Sequence, residues 1–561
     1  HNVSSAASDV YKRQVIFSFS CEIMMKSETV YKRFQSVANE RKHAPFLHVL
    51  KETAEIYKID DGDISYKDMQ ESVEVWKLKF QKAGYVCGQR IGLLLQNQPV
   101  FIEIWLALNS LGISVVPINH DLRVAELEYI IEHSEMKLVI SNADRITELQ
   151  KAVNNRNLAV EIISTLETIP KNLKSDNKII NIDSATECAL LYTSGTTGQP
   201  KGCILSNEYF LHSGDWYSQV GGAINLYKNH ERMITPLPLF HMNAMAVSFT
   251  AMLTVGGCLI ILDRFHPKTW WQSVKKSKAT CVHYLGIMPS ILMSHMPHAD
   301  DMKHNVRFGF GAGVDQKLHA SFETRFGFPL IEAWAMTETG SGGTISAHTE
   351  PRKIGLSCFG KPQSDVEIKI VNDEGNNTKL GVPGELLVRR KGPDKRYGFF
   401  SGYLKNDVET QKAWANGWFN TGDIVKADEA GFLYFIDRKK NIIRRSGENI
   451  AAVEIESVLN RHTSIKICAA AAAKDDLRGE EVAVLIILNN NSDNYNTAVN
   501  IVSWALNEMA YYKVPGLIKF VTELPLTATQ KVRRGDLKKI VENMKNNNEF
   551  HDMRNLKKRQ L

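Results

Sequence analysis

The chain predicts an α/β protein with a large N-terminal domain of parallel and mixed sheets flanked by helices, a β-rich subdomain, and a small α+β C-terminal domain. Three observations carry that prediction. From about Met25 to Ile182, short apolar runs alternate with amphipathic stretches, and a second such set extends to Gly313. Strand–helix alternation of this kind gives parallel sheets with helices packed outside. Val366–Val371 and Gly384–Val388 are richer in β pattern and read as antiparallel, and near Asp437-Arg438-Lys439-Lys440 the pattern changes to a short α+β unit.

Taken in order, Arg90–Leu95 is a buried strand. Pro99–Leu111 is a helix, because Phe101, Ile104, Trp105 and Leu108 recur at spacings of three and four. Val115–Ile118 is a strand, Ala125–His133 a helix and Lys137–Ile140 a strand. Cys188–Tyr192 is a buried strand that runs into a polar loop. Met233–Leu237, Leu259–Leu262 and Arg307–Gly313 are further strands, the last ending in glycines. In the C-terminal unit, Ala451–Arg461 and Ile501–Met509 are helices, and Ala469–Ala472 and Val482–Leu488 are apolar runs. There is no internal repeat and no low-complexity linker. The expected domains are 25–439, 440–545 and a basic polar tail over 546–561, read as solvated.

Composition narrows the function classes. Net charge is +6 over 561 residues, with 43% apolar and 23% charged residues, which is ordinary for a globular protein. Basic residues form no dominant cluster before the extreme C-terminus, so a nucleic-acid partner is not expected. The eight cysteines, at 21, 87, 188, 203, 258, 281, 358 and 468, form no CxxC pair. They read as free thiols of a cytoplasmic protein, with no zinc site. No apolar run reaches the about 18 residues of a membrane span. Lys12 and Arg13 before Val15–Phe19, with Cys21 following, mimic a signal peptide, but the apolar part is short and Glu22 follows. Ser8–Gln14 looks like translated sequencing adaptor, so 1–24 is set aside as a leader and Met24 or Met25 is the expected start.

The stretch Leu190-Leu191-Tyr192-Thr193-Ser194-Gly195-Thr196-Thr197-Gly198-Gln199-Pro200-Lys201-Gly202 is the most informative. Glycines let backbone N–H groups approach an anion, hydroxyls add donors, and Lys201 adds a charge. Such a loop suits a polyphosphate, although its spacing is not the Walker pattern. A plain surface turn would need only one or two such residues.

This loop resembles the nucleotide-binding signature of the adenylate-forming enzymes, which include acyl-CoA synthetases, adenylation domains and luciferases. Further stretches along the chain fall in that family's order. Ile331-Glu332-Ala333-Trp334-Ala335-Met336-Thr337-Glu338 is similar to its aromatic-Gly-x-Thr-Glu motif. The resemblance implies that Trp334 stacks on adenine, worth roughly 1–3 kcal/mol, that Thr337 contacts phosphate, and that Glu338 holds Mg²⁺. Ala335 stands where the family has Gly, which would cost energy if that position needs positive φ. Gly311-Ala312-Gly313 resembles the small-residue segment lying against adenine and the acyl group. A simple turn competes with that reading. Gly417–Asp423 resembles the ribose-binding motif, with Asp423 accepting from vicinal hydroxyls. Asp437–Ile443 resembles the interdomain hinge, with Arg438 reaching ribose or phosphate and Lys440 as the rotating residue. Ser446-Gly447-Glu448-Asn449-Ile450 resembles the loop beside the pantetheine tunnel. Leu524–Val532 resembles the catalytic-lysine motif, with Lys531 bridging carboxylate and α-phosphate, and with Gln530 replacing Gly.

Pro236–Ala244 resembles the acyl-pocket segment, with His241 and Met242 in its wall. Amino-acid-activating members commonly carry Asp at the position of His241, so an ordinary α-amino acid is not the expected substrate. The resemblance implies an acyl-CoA ligase of the AMP-forming type, using ATP, Mg²⁺ and CoA, with a small mobile C-terminal domain. Its look is nearest the carnitine/crotonobetaine-CoA ligase branch, with short- or medium-chain acids open. The expected nucleotide set is Thr193, Ser194, Gly195, Thr196, Thr197, Gly198, Lys201, Gly311, Ala312, Gly313, Glu332, Ala333, Trp334, Thr337, Asp423 and Arg438. The expected catalytic set is Lys531, Thr193, Lys201 and Glu338, with Gly447 and Glu448 toward CoA. Partners are then a small carboxylate, ATP and CoA, with a homodimer left open. The rivals are an adenylation enzyme that loads a carrier protein, and a silent ATP-binding homologue suggested by Ala335 and Gln530.

Overall fold

In the computed structural model, residues 27–172, 181–193, 200–445, 448–475, 478–490, 494–509, 511–527 and 531–557 are described. The chain divides into two compact units. The first comprises 27–193, 200–367 and 389–419; the second comprises 368–388 and 420–557.

Two large sheets organise the first unit. One runs in the order Gly402–Tyr403, Lys201–Ser206, Glu187–Thr193, Ser114–Pro117, Arg90–Leu94, Leu138–Ser141, Glu161–Ser164. Its centre is parallel, as strand–helix alternation predicts, with Ile91 opposite both Val115 and Leu138. Glu187–Thr193 and Lys201–Ser206 instead form an antiparallel hairpin. The other sheet runs Ile345–Ser346, Leu330–Trp334, Phe308–Ala312, Cys281–Leu285, Arg232–Thr235, Cys258–Ile261, Pro45–Val49, Gly62–Ser65. Its central pairs are also parallel.

The helix Pro99–Ser110 shows why the packing holds. Four apolar positions predicted it, but Ile102, Leu106, Ala107 and Asn109 are buried as well. Trp105 packs its ring 4.8 Å from Phe249 and 5.3 Å from Phe210. The helix is therefore covered on nearly every side, which is why its sequence carries so little polar face.

The second unit contains most of a sheet built from Val366–Val371, Gly384–Arg390, Trp418–Ala427 and Leu433–Arg438. The unit also holds a separate sheet ordered Glu448–Ala451, Ile442–Arg445, Gly479–Leu488, Leu517–Phe520, His551–Asp552, with Ile465–Asp475 also paired to Gly479–Leu488. Ile443, Ile450, Ile455, Val484, Ile501 and Val502 fill its core. The alanine run is a strand whose Ala469 and Ala473 face Leu537 and Val541 of the helix Arg534–Asn546. Small side chains there let helix and sheet approach closely. The helix expected from Ile501 begins earlier, at Tyr495, because the Asn494 side chain caps it by accepting from the Thr497 amide at 2.9 Å.

The solvated tail predicted after residue 545 is corrected for residues 551–557. His551–Asp552 adds a strand against Leu517–Ile518. Lys557 is buried, with its ammonium 2.5 Å from Glu481, whose two oxygens also accept from Arg445 Nε at 2.9 Å. Lys557 goes inside because its charge is paired there, while Asp552, Arg554 and Asn555 stay exposed. All described cysteines are free, and all but the half-buried Cys87 are buried. No described helix is long and apolar enough to cross a membrane.

Candidate active site

Part of the candidate set lies at the open end of the Glu187–Thr193 and Lys201–Ser206 hairpin. Thr193 and Lys201 lie directly opposite each other across the hairpin. Ser194, Gly195, Thr196, Thr197 and Gly198 lie outside the described residues. The Lys201 ammonium is 2.6 Å from Glu409 Oε2 and stands 4.8 Å from the centre of the Tyr403 ring. Tyr403 is brought to this place because Gly402–Tyr403 pairs with the hairpin's second strand, Tyr403 opposite Cys203.

The Tyr403 hydroxyl donates to Glu338 Oε1 at 2.9 Å. Glu338 is 6% exposed, and no ion pair to it is present among the described residues. Burial and the neighbouring Glu338 charge push the Tyr403 phenol far above its ordinary value, so it remains a donor. Thr337 is fixed beside Glu338, its carbonyl accepting from the Tyr209 hydroxyl at 2.9 Å. One buried carboxylate with a spare oxygen suits Mg²⁺, which takes one or two protein carboxylates and fills the rest of its shell with phosphate and water oxygens.

Trp334 ends the strand Leu330–Trp334 and is 6% exposed, its ring 6.3 Å from Phe359. Ala333 precedes it, half-buried. Ala335 is not among the residues with positive φ, so alanine carries no backbone penalty where the family has glycine. Gly311 and Ala312 end the neighbouring strand, and Gly313 turns out of it at φ +81°. A Cβ on Gly311 would lie 2.2 Å from the Tyr284 carbonyl oxygen, so only glycine fits this crossing.

Glu332, expected at the nucleotide, is tied to the backbone of the glycine turn. Its two carboxylate oxygens accept from the Gly313 and Val314 amides at 2.9 and 2.7 Å. Burial still pushes its pKa up against those two hydrogen bonds. The carboxylate holds the glycine turn, a role that local sequence could not show.

His241 is exposed and Met242 half-buried, at the entry to a π-helical turn over Asn243–Ser248. The His241 carbonyl accepts from the Met245 amide at 3.1 Å.

In the second unit, Asp423 and Arg438 are register partners on adjacent antiparallel strands. Arg438 Nε lies 2.8 Å from Asp423 Oδ1. Asp423 is 1% exposed. Gly422 beside it has φ +68° and donates its amide to Glu385. Lys440 lies in a short turn, Lys439–Asn441, between two strands. Glu448 opens the strand Glu448–Ala451, and Gly447 lies outside the described residues. Lys531 closes a turn, its amide donating to Thr527 Oγ1 at 3.1 Å and its carbonyl accepting from the Thr527 amide at 2.7 Å. The residue keeps solvent contact, yet desolvation and then the like charge of Arg438 hold its ammonium below the ordinary lysine value. Gln530 lies outside the described residues.

Tyr403 and Glu409 were not predicted. Each meets its partner only through the fold, 65 residues from Glu338 and 208 from Lys201.

The family model for the AMP-binding enzyme matches residues 34–404, and that for the AMP-binding enzyme C-terminal domain matches 454–531. The chain belongs to the AMP-binding enzyme family. Among curated relatives, it is 28% identical to the crotonobetaine/carnitine–CoA ligase of Salmonella arizonae, over 87% of this chain and 96% of that protein. The Citrobacter koseri protein of the same name is 26% identical over the same shares. Solved structures agree on the fold. The o-succinylbenzoate CoA synthetase of Bacillus subtilis, in complex with its acyl-adenylate intermediate, has a TM-score of 0.76 at 23% identity, covering 91% of this chain and 98% of that one. ATP-bound MatB from Rhodopseudomonas palustris has a TM-score of 0.75 at 20% identity, covering 92% and 99%. The AMP-binding enzyme fold expected from the motif order is therefore the one present, and the curated relatives matched over nearly their full length are CoA ligases.

Proposed function

We propose that this AMP-binding enzyme is an ATP-dependent acid–thiol ligase. It joins a small carboxylic acid to CoA through an acyl-adenylate, releasing pyrophosphate and then AMP. The observation that carries this reading is the convergence of Lys201, Tyr403 and the buried Glu338 at the mouth of the hydroxyl- and glycine-rich hairpin.

In the first half-reaction a substrate carboxylate oxygen bonds to the α-phosphorus of ATP, and the bond from that phosphorus to the bridging oxygen breaks. Pyrophosphate leaves with the electron pair. Lys201 and the hairpin hold the leaving phosphates, and Lys531 steadies the attacking carboxylate and the α-phosphate. Glu338 would hold Mg²⁺, which when bound neutralises triphosphate charge. Asp423 accepts from the ribose hydroxyls while Arg438 orients it. In the second half-reaction the CoA sulfur bonds to the acyl carbonyl carbon, the bond to the AMP oxygen breaks, and AMP departs. The changeover is assigned to backbone rotation at Lys440, with Gly447 and Glu448 then facing pantetheine.

The resemblance to crotonobetaine/carnitine–CoA ligases favours a short acid of that class, acted on in the cytoplasm. A histidine, His241, in place of an acidic residue supports a substrate without an α-ammonium group. Pyrophosphate release should be measured over a panel of short, medium and long fatty acids, aromatic acids, crotonobetaine and carnitine, with and without CoA. One strongly active acid, with AMP and acyl-CoA formed only when CoA is present, is expected. Adenylate formation that CoA does not discharge would replace CoA with a carrier protein, and silence with every acid despite ATP binding would refute a ligase.

A further inference from the structure

We propose that Glu409 is an internal stand-in for the triphosphate: its carboxylate occupies the Lys201 ammonium in the free enzyme, and ATP must displace it to bind. The inference rests on the reading that Lys201 takes ATP phosphates. The Lys201–Glu409 distance is 2.6 Å, with the two side chains 16% and 27% exposed. Geometry makes a swap of partners feasible. Glu409 sits in the first turn of the helix Asp407–Ala413, its amide capped by Asn406 Oδ1 at 3.1 Å. Its second oxygen, Oε1, accepts from Lys412 at 2.9 Å. When Lys201 departs, the carboxylate therefore keeps one ammonium and the helix N-terminus. The Lys201 ammonium also lies over the Tyr403 ring, a cation–π contact that does not depend on Glu409. Hydrogen bonds from Lys201 and then Lys412 hold the Glu409 carboxyl down at about 2, so it is ionised throughout the neutral range.

Competition of this kind acts on ligands that need Lys201. ATP and pyrophosphate would both displace Glu409, and AMP would not. Glu409 then also hastens pyrophosphate departure by recapturing Lys201, which makes the first half-reaction harder to reverse.

Calorimetric titration of the full chain with MgATP, magnesium pyrophosphate and AMP tests this, using wild type, Glu409→Gln and Glu409→Ala. Both variants should bind MgATP and pyrophosphate about threefold tighter or more, the range of a partly exposed ion pair, with AMP affinity unchanged. The alanine variant is included because glutamine can still accept from Lys201. Unchanged or weaker MgATP binding in both variants, at wild-type melting temperature, would overturn the proposal. So would tightening that extends equally to AMP. Lys201→Ala separates the two levels. If it binds MgATP normally, the phosphate role of Lys201 fails and this inference with it. If it binds MgATP weakly while the Glu409 variants match wild type, only this inference fails.

Discussion

Replacing Tyr403 with phenylalanine tests the centre of the site. The change removes one oxygen and keeps the ring under Lys201, so the ammonium loses nothing of its 4.8 Å platform. What disappears is the donor 2.9 Å from Glu338 Oε1. A hydrogen bond to a charged group contributes about 1.5–3 kcal/mol, and a buried carboxylate deprived of its donor destabilises the free protein by a similar amount. Residues that orient a metal ligand typically change metal affinity about 10–100-fold. Tyr403→Phe is therefore expected to raise the Mg²⁺ concentration for half-maximal pyrophosphate release by about tenfold at saturating ATP. The apparent affinity for ATP at saturating Mg²⁺ should stay within about twofold, because Lys201 is untouched. Melting temperature should fall by a few degrees. A wild-type Mg²⁺ titration in the folded variant would refute the argument that Tyr403 orients a metal-binding Glu338.

Other expectations follow from the same contacts. Lys531→Ala should lose acyl-adenylate formation by orders of magnitude yet still make thioester from supplied acyl-AMP; equal loss in both half-reactions would remove its assigned role. Lys440→Pro should block one half-reaction and spare the other, read by separate assays of pyrophosphate and thioester formation, and normal rates in both would discard the hinge. Burial alone would raise the Glu323 pKa, but two hydrogen bonds from Arg352, at 2.6 and 2.9 Å, hold it at about 2. A carboxyl lowered on folding adds stability that is present above its unfolded value of about 4.3 and is lost as pH falls toward 2. Glu323→Gln should therefore flatten the stability profile between pH 5 and 2 in urea titrations, and an unchanged slope would contradict that source of acid sensitivity. Lys557→Ala leaves Glu481 buried with Arg445 alone and should destabilise the C-terminal unit by about 3–5 kcal/mol. Limited proteolysis would report it, and unchanged resistance would show the tail to be dispensable.

Much of the secondary structure was legible because it is locally specified. The central strands of the first unit are short apolar runs between amphipathic segments, and Arg90–Leu94, Leu138–Ser141 and Phe308–Ala312 start or stop within a residue or two of prediction. The alanine-rich run resisted assignment, since alanine favours neither strand nor helix by period; its pairing with Val482–Leu485 makes it a strand. The tail misled because its polarity says nothing of a buried counter-charge at Glu481. Within the candidate site, Glu338 and Lys201 were singled out from the sequence, and the fold brings both to Tyr403. Glu332 was visible too, but whether its carboxylate meets a ligand or a backbone turn depends on where the next strand ends.

The order of motifs along the chain determined the family, the fold and the reaction class, because each motif is a contiguous stretch whose spacing carries its chemistry. The tertiary structure alone decided how the polar groups are used. It gave Glu338 to Tyr403, Lys201 to Glu409, Asp423 to Arg438 and Glu332 to the Gly313 and Val314 amides. Partnerships of that kind form between residues far apart in sequence, where buried charge must find a donor or counter-ion in whatever strand or helix the packing brings alongside.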